Sequence, residues 1–297
     1  MTRRPERYIG VLALLSAVMS FSCGDTGVTK PKDATNEDAI YNIIRYDAPS
    51  LFNLDLLDFS VPDTLPFATG TIVPTVYWYD PDRDSLFIDI QIRYPQSGDP
   101  IGTIPVANVS VSKHFFGSFE IIGVDTAGGG SELVRMSKEF AIMGLIDAYF
   151  EKYGFDSDSR RGWLLTQISD AVFVGNVSGP QGNIGSITVS SPSYPDHVVD
   201  TTIKGFSGIL TFAPGESLTI SIQTVNVGDF VTLRYRSGGA LVSVPVPADE
   251  NGDHIAGFRL PSATGFDHFL IDAINYRTVT DTLSFRSKAI GVLYRVR

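Results

Sequence analysis

The chain has 297 residues, of which 43% are apolar and 19% charged, with a formal net charge of −10. That apolar share supports a packed core and excludes disorder along the whole length, and the acidic balance argues against a nucleic-acid partner. A single cysteine excludes a disulfide framework and a cysteine zinc site.

Arg3, Arg4 and Arg7 precede an apolar run from Tyr8 to Phe21. A basic segment followed by a short apolar stretch is the pattern of a secretory signal peptide. The stretch is shorter than the roughly 20 residues needed to cross a bilayer as a helix. It ends Ser20-Phe21-Ser22-Cys23-Gly24 and so resembles a bacterial lipoprotein signal, although Ser20 stands where that family usually has Leu. The resemblance implies removal of residues 1–22 and acylation of Cys23, which becomes the first mature residue. Acyl chains hold such a protein without help from anionic headgroups. The implied location is the cell envelope, outside the cytoplasmic membrane.

Residues 23–35 are small and polar and read as a flexible tether. Ile40, Ile43 and Ile44 recur at helical spacing after Thr35 or Asn36, either of which can cap the first turn, and Pro49 closes this short helix. Leu51–Phe59 suits a further helical turn. From Thr71 the period becomes two. Thr71–Tyr79 and Leu86–Tyr94 flank Asp80-Pro81-Asp82-Arg83-Asp84-Ser85, which predicts a hairpin turned at those polar residues. Val106–Val124 is either a strand pair or one long bent strand. Leu133–Tyr153 alternates best as a single long strand, with Lys138 and Gly144 the exceptions on its apolar face, and Gly162–Val174 is expected to pair with it.

The Gly/Pro/Ser-rich passage at 178–185 predicts a domain boundary. Beyond it, short alternating segments recur: Ile187–Ser190, Gly208–Phe212, Ser217–Thr224, Phe230–Arg236, Ala240–Val246, His254–Leu260, Asp267–Tyr276 and Ile290–Val296. Such spacing is that of a β-sandwich. LTISIQT, DFVTLRYR and HIAGFRLP sit where strands of an immunoglobulin or fibronectin type III module fall, and residues 186–297 resemble such a sandwich. Residues 36–177, helix first and then long antiparallel strands, are weakly similar in element order to nuclear-transport-factor-like cone folds. The expected class is therefore mainly β: an N-terminal α+β domain followed by an immunoglobulin-like sandwich.

No nucleotide loop, metalloprotease motif or nucleophile elbow is present, and the four histidines are scattered. Tyr149 and Trp163 are candidates to line a ligand cavity, although aromatics in strands more often form core. Asp249, Asn251 and Asp253 alternate oxygen ligands as calcium loops do, without the remaining loop positions of the EF-hand. A calcium site there would be weak, roughly 10⁻⁴–10⁻³ M; the same residue types are ordinary turn formers. No other cofactor is expected. The reading is a non-enzymatic, lipid-anchored envelope protein with an interaction or spacer role, whose partners are the membrane and an envelope protein or polysaccharide. The alternatives are a lipoprotein that binds a small apolar or sugar ligand in its N-terminal domain, and an extracytoplasmic hydrolase.

Overall fold

The structure is a computed structural model; it describes residues 32–55, 63–64, 72–125, 132–175, 184–226, 228–280 and 285–297. The signal segment, Cys23 and most of the 178–185 boundary lie outside the described residues.

Helix α1 (Asn36–Asn42) begins where the sequence provides a reciprocal cap. The Thr35 hydroxyl accepts from the Asp38 amide at 3.1 Å, and the Asp38 carboxylate accepts from the Thr35 amide at 3.0 Å. The helix then widens into a π-helical turn (Ile43–Asp47) and buries Ile40, Ile43 and Ile44, the stripe visible in the sequence.

Three long strands follow: β2 (Ile72–Arg93), β3 (Val106–Asp125) and β4 (Glu132–Lys152), after a two-residue β1 (Asp63–Thr64). Two sequence expectations need correction here. Asp80–Ser85 is not a hairpin turn, because β2 runs straight through it and pairs with β3 along its whole length. The Pro and Asp residues are absorbed as a register shift between Pro81 and Arg83. Pro81 lacks an amide to donate, and among the described residues the other side of β2 is paired only at Val76 and Tyr77, by β1, an edge position where a proline is tolerated. The real hairpin turn is 94–105. Gly162–Val174, in turn, is broken at Ser169 and Asp170 into β5 (Trp163–Ile168) and β6 (Ala171–Gly175); both pair with β4, as expected of the longer segment. Of the two options for Val106–Val124, the single strand is the one formed, and β4 is one strand with its even positions from Lys138 to Phe150 buried. Gly144 interrupts that row because a Cβ would lie 2.7 Å from the Phe173 ring.

The second half forms β7 (Ile184–Ser190), β8 (His197–Val198), β9 (Lys204–Gly205), β10 (Leu210–Phe212), β11 (Ser217–Thr224), β12 (Phe230–Ser237), β13 (Ala240–Val246), β14 (Asp253–Arg259), β15 (Gly265–Ile274), a short helix α2 (Tyr276–Thr280) and β16 (Ser287–Val296). Each segment expected from the spacing contains a strand. The protein is mainly β, and among the described residues its pairings are antiparallel except β10 with β16.

The strands assemble into two sheets. The larger runs β1-β2-β3-β4-β6-β16-β15-β12-β13, and the smaller β14-β11-β7-β8. The larger sheet is continuous across the expected boundary, since β6 pairs with β16 from Ala171↔Gly291 to Gly175↔Ser287. It also curls. Tyr77 and Tyr79 of β2 reach across the interior to Thr232 of β12 (2.8 Å) and Asp272 of β15 (3.0 Å), strands far from β2 in the sheet order. Tyr77, Tyr79, Phe119, Phe140 and Phe285 fill the enclosed space, with neighbouring ring centroids 5.1–5.8 Å apart. On the other face of β12, β15 and β16, the smaller sheet packs Val189, Ile220 and Ile222 against Phe269, Ile271 and Val292. Strands β15 and β16 are thus buried on both faces and read as near-continuous apolar runs.

Candidate functional site

A groove of about 650 Å³ opens between the chain that follows α1 and the β2–β3 hairpin. Its roof is Ile44 and Arg45 of the π-helical turn together with Pro49–Asp55; its floor is Asp84, Ser85 and Leu86 of β2 with Val111 and Lys113 of β3. Pro49 ends the helical segment and lets the chain double back over the sheet. Ala48, Leu51 and Phe52 close that reversal, through Leu51 and Phe52 amides donated to Ala48 and Pro49 carbonyls at 3.0 and 3.3 Å.

Lys113 is the chemical centre of the groove. It follows Ala107, Val109 and Val111 on the inward parity of β3, so its ammonium is brought under the roof, where it pairs with Asp55 and Asp84. It also lies 5.0 Å from the centroid of the Phe115 ring. Burial pulls its pKa down, but the hydrogen bonds to the two carboxylates outweigh that and hold it above the usual lysine value. The lining is mostly polar around this charged floor, with Leu86 its exposed apolar side chain, and suits a small ligand rich in hydrogen-bonding groups.

The residues singled out in the sequence fall elsewhere. Trp163 is a core residue, 1% exposed, whose indole N–H donates to Asn36 at 3.0 Å. Tyr149 sits on the opposite face of β4 from the buried row that contacts Trp163, so the structure does not bring the two together. In the 249–253 turn one Asp249 carboxylate oxygen already accepts the amides of Asn251 (2.8 Å) and Asp253 (2.9 Å). Those amide bonds are the main reason its pKa is depressed. Among the described residues no group of three or more His, Cys, Asp or Glu is placed to hold a metal ion. The histidines occupy four different strands: His114 in β3, His197 in β8, His254 in β14 and His268 in β15.

Sequence reasoning missed Lys113. The available signal was parity: a lysine in an otherwise apolar alternating row needs a reason to face inward. It also missed a clamp on the N-terminal segment. Arg160 and Arg161 both have left-handed backbone (φ 52° and 51°), followed by Gly162 at φ 75°. This tight turn aims the Arg160 guanidinium at Asp33 (2.9 Å) and Asp47 (2.5 Å). Asp33, in the stretch read as tether, also accepts from the Asn42 amide group at 2.6 Å.

No protein-family model matches the chain, and no curated protein matches it in sequence.

Proposed function

We propose that the chain is a lipid-anchored, non-catalytic protein of the bacterial cell envelope, held at Cys23 and presenting a β-rich body for interaction. The observation that carries this reading is the clamp on Asp33. Asp33 lies only ten residues after Cys23 and is tied to the body by Arg160. An anchor at Cys23 would therefore act on the whole fold through a short connection. Among the described residues no helix is long and apolar enough to cross a membrane. The C-terminal part is read as an immunoglobulin-like module, supported by its regular short strands and by the packing of the four-stranded sheet on the larger one. The test is Cys23→Ser in a bacterial host: the variant should move from the membrane to the soluble fraction, and membrane retention overturns the reading.

The groove supports a second reading, in which the anchored body holds a small apolar or sugar ligand beside Lys113. Titration with an anilinonaphthalene sulfonate probe checks it. One saturable site is expected, and Leu86→Trp, which fills the groove, should remove it; binding unaffected by that change places the probe elsewhere.

A further inference from the structure

The geometry points to a lipid surface as the partner of one end of the molecule, the end formed by the turns 94–105 and 153–162. The inference rests on the lipoprotein reading. The two turns join β2 to β3 and β4 to β5, and they are neighbours because the Lys152 amide donates to the Pro105 carbonyl at 3.0 Å. Each turn presents an apolar side chain to water: Ile101 is 108% exposed and Phe155 is 80% exposed, with Tyr94 and Tyr153 about half exposed beside them. Large apolar side chains exposed on adjacent turns suit an interaction surface, and Tyr beside them suits a membrane–water boundary.

These side chains are held outward by closed turns. The Tyr153 amide donates to Gly162, the Phe155 amide to the Asp158 carboxylate at 2.8 Å, and the Thr103 amide to Pro100 at 3.1 Å. The same end receives the anchor. Arg160, five residues from Phe155 in the same turn, holds Asp33, and the Asn36 amide group donates to the Tyr94 hydroxyl at 2.7 Å. The ten residues from Cys23 to Asp33 span at most about 36 Å when fully extended. The other end of β4, where Leu133 is 72% exposed, is 19 residues from Lys152, about 60 Å along the strand. An acylated Cys23 can therefore bring the two apolar turns to the bilayer, with Leu133 at the far end of the long strand.

Several of the charges at this end are taken up in ion pairs. Arg93 pairs with Asp99, Lys152 and Arg161 with Asp156, and Arg160 with Asp33 and Asp47. The contact is thus made by apolar side chains, in keeping with an acidic protein.

The full-length lipidated chain, reconstituted into phosphatidylcholine vesicles, provides the test. Cys23 is the only cysteine. Its acylation leaves one free thiol in each of Ile101→Cys, Phe155→Cys and Leu133→Cys, all at exposed positions that tolerate substitution. A polarity-sensitive dye on that thiol is read with and without lipids carrying a nitroxide near the headgroup. The dye at 101 and 155 should shift to the blue and be quenched severalfold more than at 133. Neither high salt nor added phosphatidylglycerol should change this. Equal quenching at all three positions in protein that floats with the vesicles overturns the lipid contact and leaves the anchor standing. Concentration-dependent self-quenching at 155 without nitroxide overturns it in favour of a second copy of the chain. Thiol labelling of unsubstituted protein, together with failure to float, overturns the anchor and this inference with it.

Discussion

The Asp170 carboxylate accepts the backbone amide of Leu293 at 2.8 Å, joining residues 123 apart in the chain. Its other oxygen receives the Lys204 ammonium at 2.7 Å, and Asp170 itself is fully buried. This junction ties the break between β5 and β6 to the last strand, where the two halves of the chain share one sheet. Burial holds the Asp170 carboxyl above the usual range, against the downward pull of Lys204 and of the Leu293 amide. Asp170→Asn keeps an acceptor for Leu293 and should cost about 1–3 kcal/mol. Asp170→Ala leaves the Leu293 amide without its acceptor and Lys204 with only the Asp200 carbonyl, and should cost about 3–5 kcal/mol. Urea unfolding of the two variants checks the order; equal losses would show that the acceptor role is unimportant.

The same sharing of strands bears on fragments. A chain beginning at Ile184 would lose the five pairs between β6 and β16 and would uncover Leu270, Ile274 and Leu293, which face the N-terminal core. An open β edge beside an apolar face is a template for association. Size-exclusion chromatography should show the fragment self-associating where the intact chain does not. A monomeric, cooperatively folded fragment would establish 186–297 as an autonomous domain.

His268 introduces a pH dependence of known sign. It is buried, and burial, with a smaller push from Lys204, lowers its pKa to about 3, against about 6.5 in the unfolded chain. The fold therefore keeps the ring neutral. Stability from this group is complete above about pH 6.5 and falls as pH drops towards 3, because the unfolded state takes up the proton first. Between pH 7.5 and 5 the loss should be about 2 kcal/mol. His268→Phe should remove that component, seen as a smaller difference between urea midpoints at the two pH values.

Arg160 combines two opposing effects, and they can be separated. Its left-handed backbone costs about 1–2 kcal/mol for any residue with a Cβ, while its side chain holds Asp33 and Asp47. Arg160→Ala keeps the strain and loses the pairs. Arg160→Gly loses the pairs but relieves the strain, so it should be the more stable of the two by about 1 kcal/mol. Both should release the segment around Asp33 to proteolysis more readily than the parent chain.

The 249–253 turn closes on its own hydrogen bonds, with Asp249 already accepting two amides and its own amide donating to the Asp253 carbonyl at 2.8 Å. Melting curves in calcium and in chelator are expected to coincide. A rise of several degrees with calcium, abolished by Asp253→Ala, would establish the site.

Local pattern was enough to locate most strands and the helix. Alternation over Val134–Phe150 is a property of neighbours in the chain, and so is the Thr35–Asp38 cap, because the forces involved act within a few residues. Where local chemistry was ambiguous, the tertiary structure decided. Asp80–Ser85 has the composition of a turn, but the ladder to β3 on both sides of it carries it on as strand with a bulge. Ser169–Asp170 is only a two-residue polar interruption of an apolar run, and it breaks the strand because Asp170 is drawn inward to an amide and an ammonium supplied by distant segments. The groove around Lys113 and the clamp of Arg160 on Asp33 each unite segments 58 or more residues apart. Such groupings depend on the curl and register of the sheet, which only the packing of the whole chain sets, and no local periodicity encodes them.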